Sequence, residues 1–123
     1  MCASMAAKSF QRIGRAQRRM VRNLLENAVR YGAGSAIAVR LSSVGDAALR
    51  LDVCDDGPGI AEPERERVFE PFYRIAGASE AAGGVGLGLS LVRQIARHHG
   101  GGAVCLPNGA HGACFRVTLP RVC

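Results

Sequence analysis

Gly84-Val85-Gly86-Leu87-Gly88-Leu89 runs straight into Ser90-Leu91-Val92-Arg93-Gln94-Ile95-Ala96-Arg97-His98-His99-Gly100-Gly101. The stretch predicts a glycine-rich loop that opens an amphipathic helix over 87–99. Glycines let a backbone come close to an anion, and the first turn of a helix aims unpaired N–H groups at it. By itself the pattern also fits a purely structural turn. Two other polar constellations precede it, and their order is what a single nucleotide site would need.

The first is Asn23-Leu24-Leu25-Glu26-Asn27-Ala28-Val29-Arg30-Tyr31. Lys8 to Tyr31 reads as one helix, free of Pro and ended by Gly32 and Gly34, with Met20, Leu24, Leu25 and Ala28 as its apolar stripe. Asn23 and Asn27 then share a face. An Asn carbonyl is a hard oxygen ligand that suits Mg²⁺ already held by phosphates. Arg30 can meet a phosphate and Tyr31 can pack on a base. Glu26, on an adjacent face, can orient a water or polarise a hydroxyl, or be a surface carboxylate. A solvated polar face is the plainer reading of the whole set.

The second is Asp55-Asp56-Gly57-Pro58-Gly59-Ile60, a turn after the strictly alternating strand Leu49–Cys54. A carboxylate at that strand end can accept a hydrogen bond from an exocyclic amine such as adenine N6, and the glycines let a ring lie against the backbone. Turn formation alone also explains the composition. Val68-Phe69-Glu70-Pro71-Phe72-Tyr73-Arg74 precedes a small, glycine-containing stretch and can anchor one end of a mobile lid, or simply pack in the core.

The remaining elements are a strand over Ala36–Leu41, a turn at Val44-Gly45-Asp46, a short charged helix over Glu62–Val68, and strands over Ala103–Leu106 and Cys114–Leu119. This order predicts an α+β two-layer sandwich with a mixed sheet. A chain of 123 residues with 48% hydrophobic content suits one folded domain. No apolar run approaches the ~20 residues that span a bilayer, and the N-terminus lacks the pattern of a signal peptide. A cytoplasmic domain is expected.

Residues 1–30 carry Lys8, Arg12, Arg15, Arg18, Arg19, Arg22 and Arg30 against Glu26 alone, which accounts for the net charge of +6. Such a segment suits nucleic acid or an anionic surface, or is a solvated helix face. No aromatics interleave with the arginines, so nucleic acid is not expected as a partner. Five scattered cysteines, with no C-x-x-C, read as reduced thiols. Cys105 and Cys114 face each other across a hairpin or are two small buried residues.

Taken together, four motifs resemble those of the histidine-kinase/Hsp90/gyrase/MutL (GHKL) ATPase superfamily. Asn23–Tyr31 resembles its N box, Asp55–Ile60 the first glycine box, Val68–Phe72 the F box and Gly84–Leu89 the second glycine box. The F box and the helix ending in His99-Gly100-Gly101 are similar to the bacterial sensor histidine kinase branch. The resemblance covers about residues 15–120. It implies a Bergerat-fold ATP-binding domain over 15–123, behind a basic segment 1–14, with an ATP lid at about 73–83. It implies ATP and Mg²⁺ as cofactors. Asn27 takes the place of the Mg²⁺ ligand and, with Glu26, of the catalytic pair. Asn23, Arg30 and Tyr31 stand near the metal, phosphates and adenine. Asp55 matches the adenine-binding Asp, with Gly57, Gly59 and Ile60 beside the base. Phe72, Gly84, Gly86, Leu87, Gly88 and Leu89 complete the nucleotide site.

The resemblance implies transfer of the ATP γ-phosphoryl to a His in two-component signalling. The expected partners are a dimerisation and phosphoacceptor domain and a response regulator. The chain departs from the pattern in two ways. Its only histidines, His98, His99 and His111, lie downstream and outside the acceptor context, so the acceptor must be on another domain or chain of a kinase that can be membrane-anchored. The region before the N box is short, so the sheet is expected to lack an edge strand that a partner or a second copy fills. A non-kinase ATPase of the superfamily, an anti-sigma-type serine kinase and a non-catalytic interaction module are the alternatives.

Overall fold

The structure, a computed structural model, describes residues 15–32, 34–73 and 88–120. Helix α1 (Arg15–Tyr31) and helix α2 (Gly88–His98) lie on one face of a four-stranded sheet. Its strands are β1 (Ile37–Val44), β2 (Ala48–Asp55), β3 (Gly102–Pro107) and β4 (Ala113–Pro120), in the order β1-β2-β4-β3. The two-layer α+β sandwich is as expected. The sheet is not mixed: every pairing among the described residues is antiparallel.

Sequence pattern accounts for each element. Met20, Leu24 and Ala28 recur every fourth residue on α1 and are buried. The helix stops at Gly32, whose N–H donates to Ala28 O at 2.8 Å. α2 ends in a Schellman motif: Gly101 N–H donates to Ala96 O at 2.8 Å, Gly100 N–H to Arg97 O at 3.0 Å, and Gly100 takes the left-handed φ of 84° that the motif requires. Alternation along the strands sends Val53, Phe115, Val117, Ala103 and Cys105 into the core against Leu24, Val92 and Ala96. Burial pushes the Cys105 thiol up to about 11.

Among the described residues no helix packs on the opposite face of the sheet. There Asp52 and Arg116, partners across β2 and β4, form a forked ion pair at 2.8 and 3.1 Å. Val104 remains largely exposed beside them. β1 is an edge strand among the described residues. Val39 and Leu41 share the helix-side face with Val53 and Leu51 but stay exposed, because α1 packs over β2 and does not reach them.

One expected helix is absent. Glu62–Val68 forms two 3₁₀ turns, Glu62–Glu64 and Arg67–Phe69. Tertiary partners pull the segment in several directions. Arg65 Nε donates to Ile60 O at 3.0 Å, Glu66 pairs with Arg93, and Val68 and Phe69 are buried. Arg93 joins three elements: it forks onto Glu66, stacks 4.0 Å over the Phe69 ring and donates to Ala103 O at 2.9 Å.

Candidate functional site

Asp55 is the last residue of β2 and is 1% exposed. Its Oδ1 accepts the Gly57 N–H at 2.9 Å and the Ala113 N–H at 3.3 Å. Its Oδ2 is buried with no partner among the described residues. A buried carboxylate oxygen without a donor is costly, so Oδ2 calls for a donor from beyond these residues.

The slot beside this oxygen is walled by backbone. A Cβ on Gly57 would lie 2.7 Å from Gly32 O, and one on Gly32 would lie 2.5 Å from Ala28 O and 3.0 Å from the Asp55 Cβ. Any larger residue at either position would push the end of α1 away from β2. On the far side Asn108 Nδ2 donates to Asp55 O at 2.9 Å, and Gly112 lies so close to that carbonyl that only glycine fits. Asp56 N–H is held by Ser35 Oγ at 3.0 Å.

The second part of the site is where α1 meets the start of α2. Asn27, 4% exposed, donates through Nδ2 to Asn23 O at 2.7 Å. Asn23 Nδ2 donates to Gly88 O at 3.4 Å, and a Cβ on Gly88 would come within 3.0 Å of the Asn27 amide. The two amides therefore sit against the N-terminus of α2, whose first-turn N–H groups have no acceptor within the helix. Arg30, about one turn beyond Asn27 on α1, keeps a buried Nε without a partner among the described residues. Among the described residues no three His, Cys, Asp or Glu side chains converge as a metal site.

The expected residues thus fall into groups. Asn23, Asn27 and Gly88 meet, and Asp55, Gly57 and Gly59 line one turn. Ile60 and Leu89 send their side chains into the core, so they support the site from behind. Glu26 is exposed on α1. Phe72 is 69% exposed and holds a left-handed φ of 64°, an uncommon conformation for a bulky residue. Tyr31 closes α1, and its side chain lies outside the described residues, as do Gly84, Gly86, Leu87 and positions 74–83 of the expected lid.

Sequence reading missed Gly32, Asn108 and Gly112 as parts of the site. Gly32 counted only as a helix stop and 107–112 only as a turn, because nothing in their composition shows that both converge on Asp55. It also missed the cysteine pairing. Cys54 and Cys114, cross-strand partners on β2 and β4, are joined by a disulfide rather than being reduced thiols. Cys105 opposes Phe115 and faces the core as a free thiol, so it cannot meet Cys114, which points to the other face.

Comparison with known proteins agrees with this geometry. The family model described as histidine kinase-, DNA gyrase B-, and HSP90-like ATPase matches residues 14–122. The chain is 43% identical over 104 residues to the sensor protein KdpD of Escherichia coli (strain K12), covering 84% of this chain and 11% of KdpD. It is 38% identical over 107 residues to the adaptive-response sensory kinase SasA of Synechococcus sp. (strain CC9902), covering 86% of this chain and 28% of SasA. The chain therefore spans only a small part of these relatives. A solved structure of the mycobacterial sensor histidine kinase MprB superposes with a TM-score of 0.79 at 36% identity, covering 88% of this chain and 75% of that one. The catalytic domain of the histidine kinase ThkA superposes with a TM-score of 0.71 at 28% identity, covering 86% of this chain and 67% of that one.

Proposed function

The chain belongs to the histidine kinase-, DNA gyrase B- and HSP90-like ATPase family, and on that premise we propose that it binds Mg²⁺·ATP and passes the γ-phosphoryl to a histidine on a separate domain or chain. The observation that carries this reading is the buried, unpartnered Asp55 Oδ2. It lies where glycine backbone packs closely around Asp55, and an exocyclic amine such as adenine N6 is a donor that would fit it. Guanine presents a carbonyl there and would meet carboxylate oxygen with oxygen.

The phosphates belong at the Asn27 end. With the Asn27 NH₂ engaged by Asn23 O, the amide oxygen is the end turned to a hard cation, and phosphate oxygens supply the cation's other ligands. A Mg²⁺ held there would supply charge neutralisation at the phosphates. Asn23 positions Asn27 and ties α1 to Gly88. Gly88 and the first turn of α2 offer N–H groups to the phosphates, and Arg30 supplies a cation from α1. Glu26 stands exposed beside Asn23, where it can orient the incoming imidazole. The expected lid, 73–83, would cover the phosphates, and the domain is taken as 15–123 behind the basic segment 1–14.

The acceptor is read as lying outside this chain, because His98, His99 and His111 all follow the nucleotide motifs. His99 accepts at Nε2 from Gln17 at 2.6 Å and donates from Nδ1 to Ile95 O at 2.8 Å, so both ring nitrogens are occupied. The partners are a phosphoacceptor domain of a sensor kinase and its response regulator. No helix among the described residues is long and apolar enough to cross a membrane.

Titration calorimetry with ADP and a non-hydrolysable ATP analogue, with and without Mg²⁺, tests the reading. Micromolar binding, roughly −8 kcal/mol at ~1 μM, strengthened by Mg²⁺ for the triphosphate, is expected. Absence of binding by both nucleotides would sink it.

A further inference from the structure

The disulfide between Cys54 and Cys114 sits where the sheet hands over to the site. It joins the last paired residues of the β2–β4 ladder. One residue further on, the two strands become the turns that build the slot. Asp55 follows Cys54, and Ala113, which donates its N–H to Asp55 Oδ1 at 3.3 Å, precedes Cys114. Gly112 and Asn108 then bear on the Asp55 carbonyl. The distance between the carboxylate and its Ala113 donor is thus set one residue from the bond.

The bond is also reachable. It lies on the sheet face on which no helix packs among the described residues, beside the Asp52–Arg116 pair and the exposed Val104. Cys54 is 5% exposed, whereas Cys114 is only half-buried.

We propose that this disulfide is a redox latch on the nucleotide site, opened by a dithiol reductant and coupled to adenine binding through the Ala113–Asp55 contact. The proposal rests on Asp55 holding an adenine nucleotide. A reductant thiolate attacks the Cys114 sulfur, forming a mixed disulfide and expelling Cys54 as a thiolate, which takes a proton. The reductant's second thiol then attacks its own sulfur in the mixed disulfide and releases Cys114 as a thiol. The protein gains two electrons and two protons, and the reductant ends as its own disulfide. With the bond open, the ladder end frays, Ala113 withdraws from Oδ1 and the slot loses its shape. A reducing surrounding therefore weakens nucleotide binding, and an oxidising one strengthens it.

The test uses the full chain in both redox states, with thiols counted by alkylation and mass. ADP affinity is measured for each by calorimetry, and exchange of the Ala113 and Gly57 amides by NMR. Binding about fivefold weaker or more after reduction, with faster exchange at Ala113, is expected, and Cys105→Ser should leave the difference unchanged. Should the reduced chain unfold, the Cys54→Val/Cys114→Val double variant, which keeps apolar side chains there, replaces it. Equal ADP affinity in the two states overturns the latch and leaves the nucleotide reading standing. Alkylation of both Cys54 and Cys114 without reductant, under oxidising conditions, overturns it because no bond forms. ADP binding by neither state overturns the nucleotide reading itself, and the latch with it.

Discussion

One carboxylate oxygen carries most of the chemical argument. Asp55 Oδ1 is satisfied twice, and Oδ2 has no partner among the described residues. Asp55→Asn replaces an acceptor by an NH₂ in one of its two orientations and removes the charge. Hydrogen bonds to charged groups contribute ~1.5–3 kcal/mol, so ADP affinity should fall by about tenfold or more in calorimetry while the fold persists. The neighbouring glycine is under a different constraint. Gly57→Ala places a methyl 2.7 Å from Gly32 O and 2.8 Å from Gly32 Cα, and backbone cannot step aside as a side chain does. A loss of about 1–3 kcal/mol in urea unfolding is expected, together with weaker ADP binding. Asp55 was legible in the sequence because alternation along Leu49–Cys54 put a carboxylate at a strand end. Gly112 and Asn108 were not, since their roles exist only once β4 lies beside β2.

The 3₁₀ turns and α2 are coupled by Arg93, which explains why Glu62–Val68, a segment with three glutamates and two arginines, has a fixed path. The Arg93 guanidinium, hydrogen-bonded to Glu66, holds that carboxyl below its usual range, against a smaller opposing effect of burial. A lowered carboxyl contributes stability that is fully present above the ordinary value of 4.5 and is lost as pH falls through the depressed one. Glu66→Gln should therefore narrow the gap in urea midpoint between neutral and acidic pH, with little change elsewhere, because the Glu66 side chain is largely exposed and solvent-screened. Helical periodicity made α1 and α2 readable, and glycines marked their ends. The expected Glu62–Val68 helix failed because Arg65, Glu66, Val68 and Phe69 each have a tertiary partner. Local propensity could not outweigh those contacts.

At the scale of the molecule, strand neighbourhood is the part that patterning could not supply. Alternation says which face a residue takes, not which strand lies beside it, so the pairing of β2 with β4 and the Cys54–Cys114 bond were both out of reach. The bond closes a loop of sequence separation 60, and restricting the unfolded chain in this way contributes about 2–4 kcal/mol. Adding a dithiol reductant should lower the unfolding free energy measured in urea by about that amount, and Cys105→Ser should show the same drop on reduction. The strand order has a consequence in time. β4 is the last described strand along the chain, yet it lies between β2 and β3. A growing chain can close the β1–β2 hairpin early, but the ladder that gives Asp55 its Ala113 donor waits for residues nearly sixty positions later. Long-range pairing of this kind is slow and leaves strand edges open meanwhile. During synthesis the chain thus carries Asn27, Asp55 and their glycines well before the proposed nucleotide site can exist, so a nucleotide would act only as a late check on completed folding.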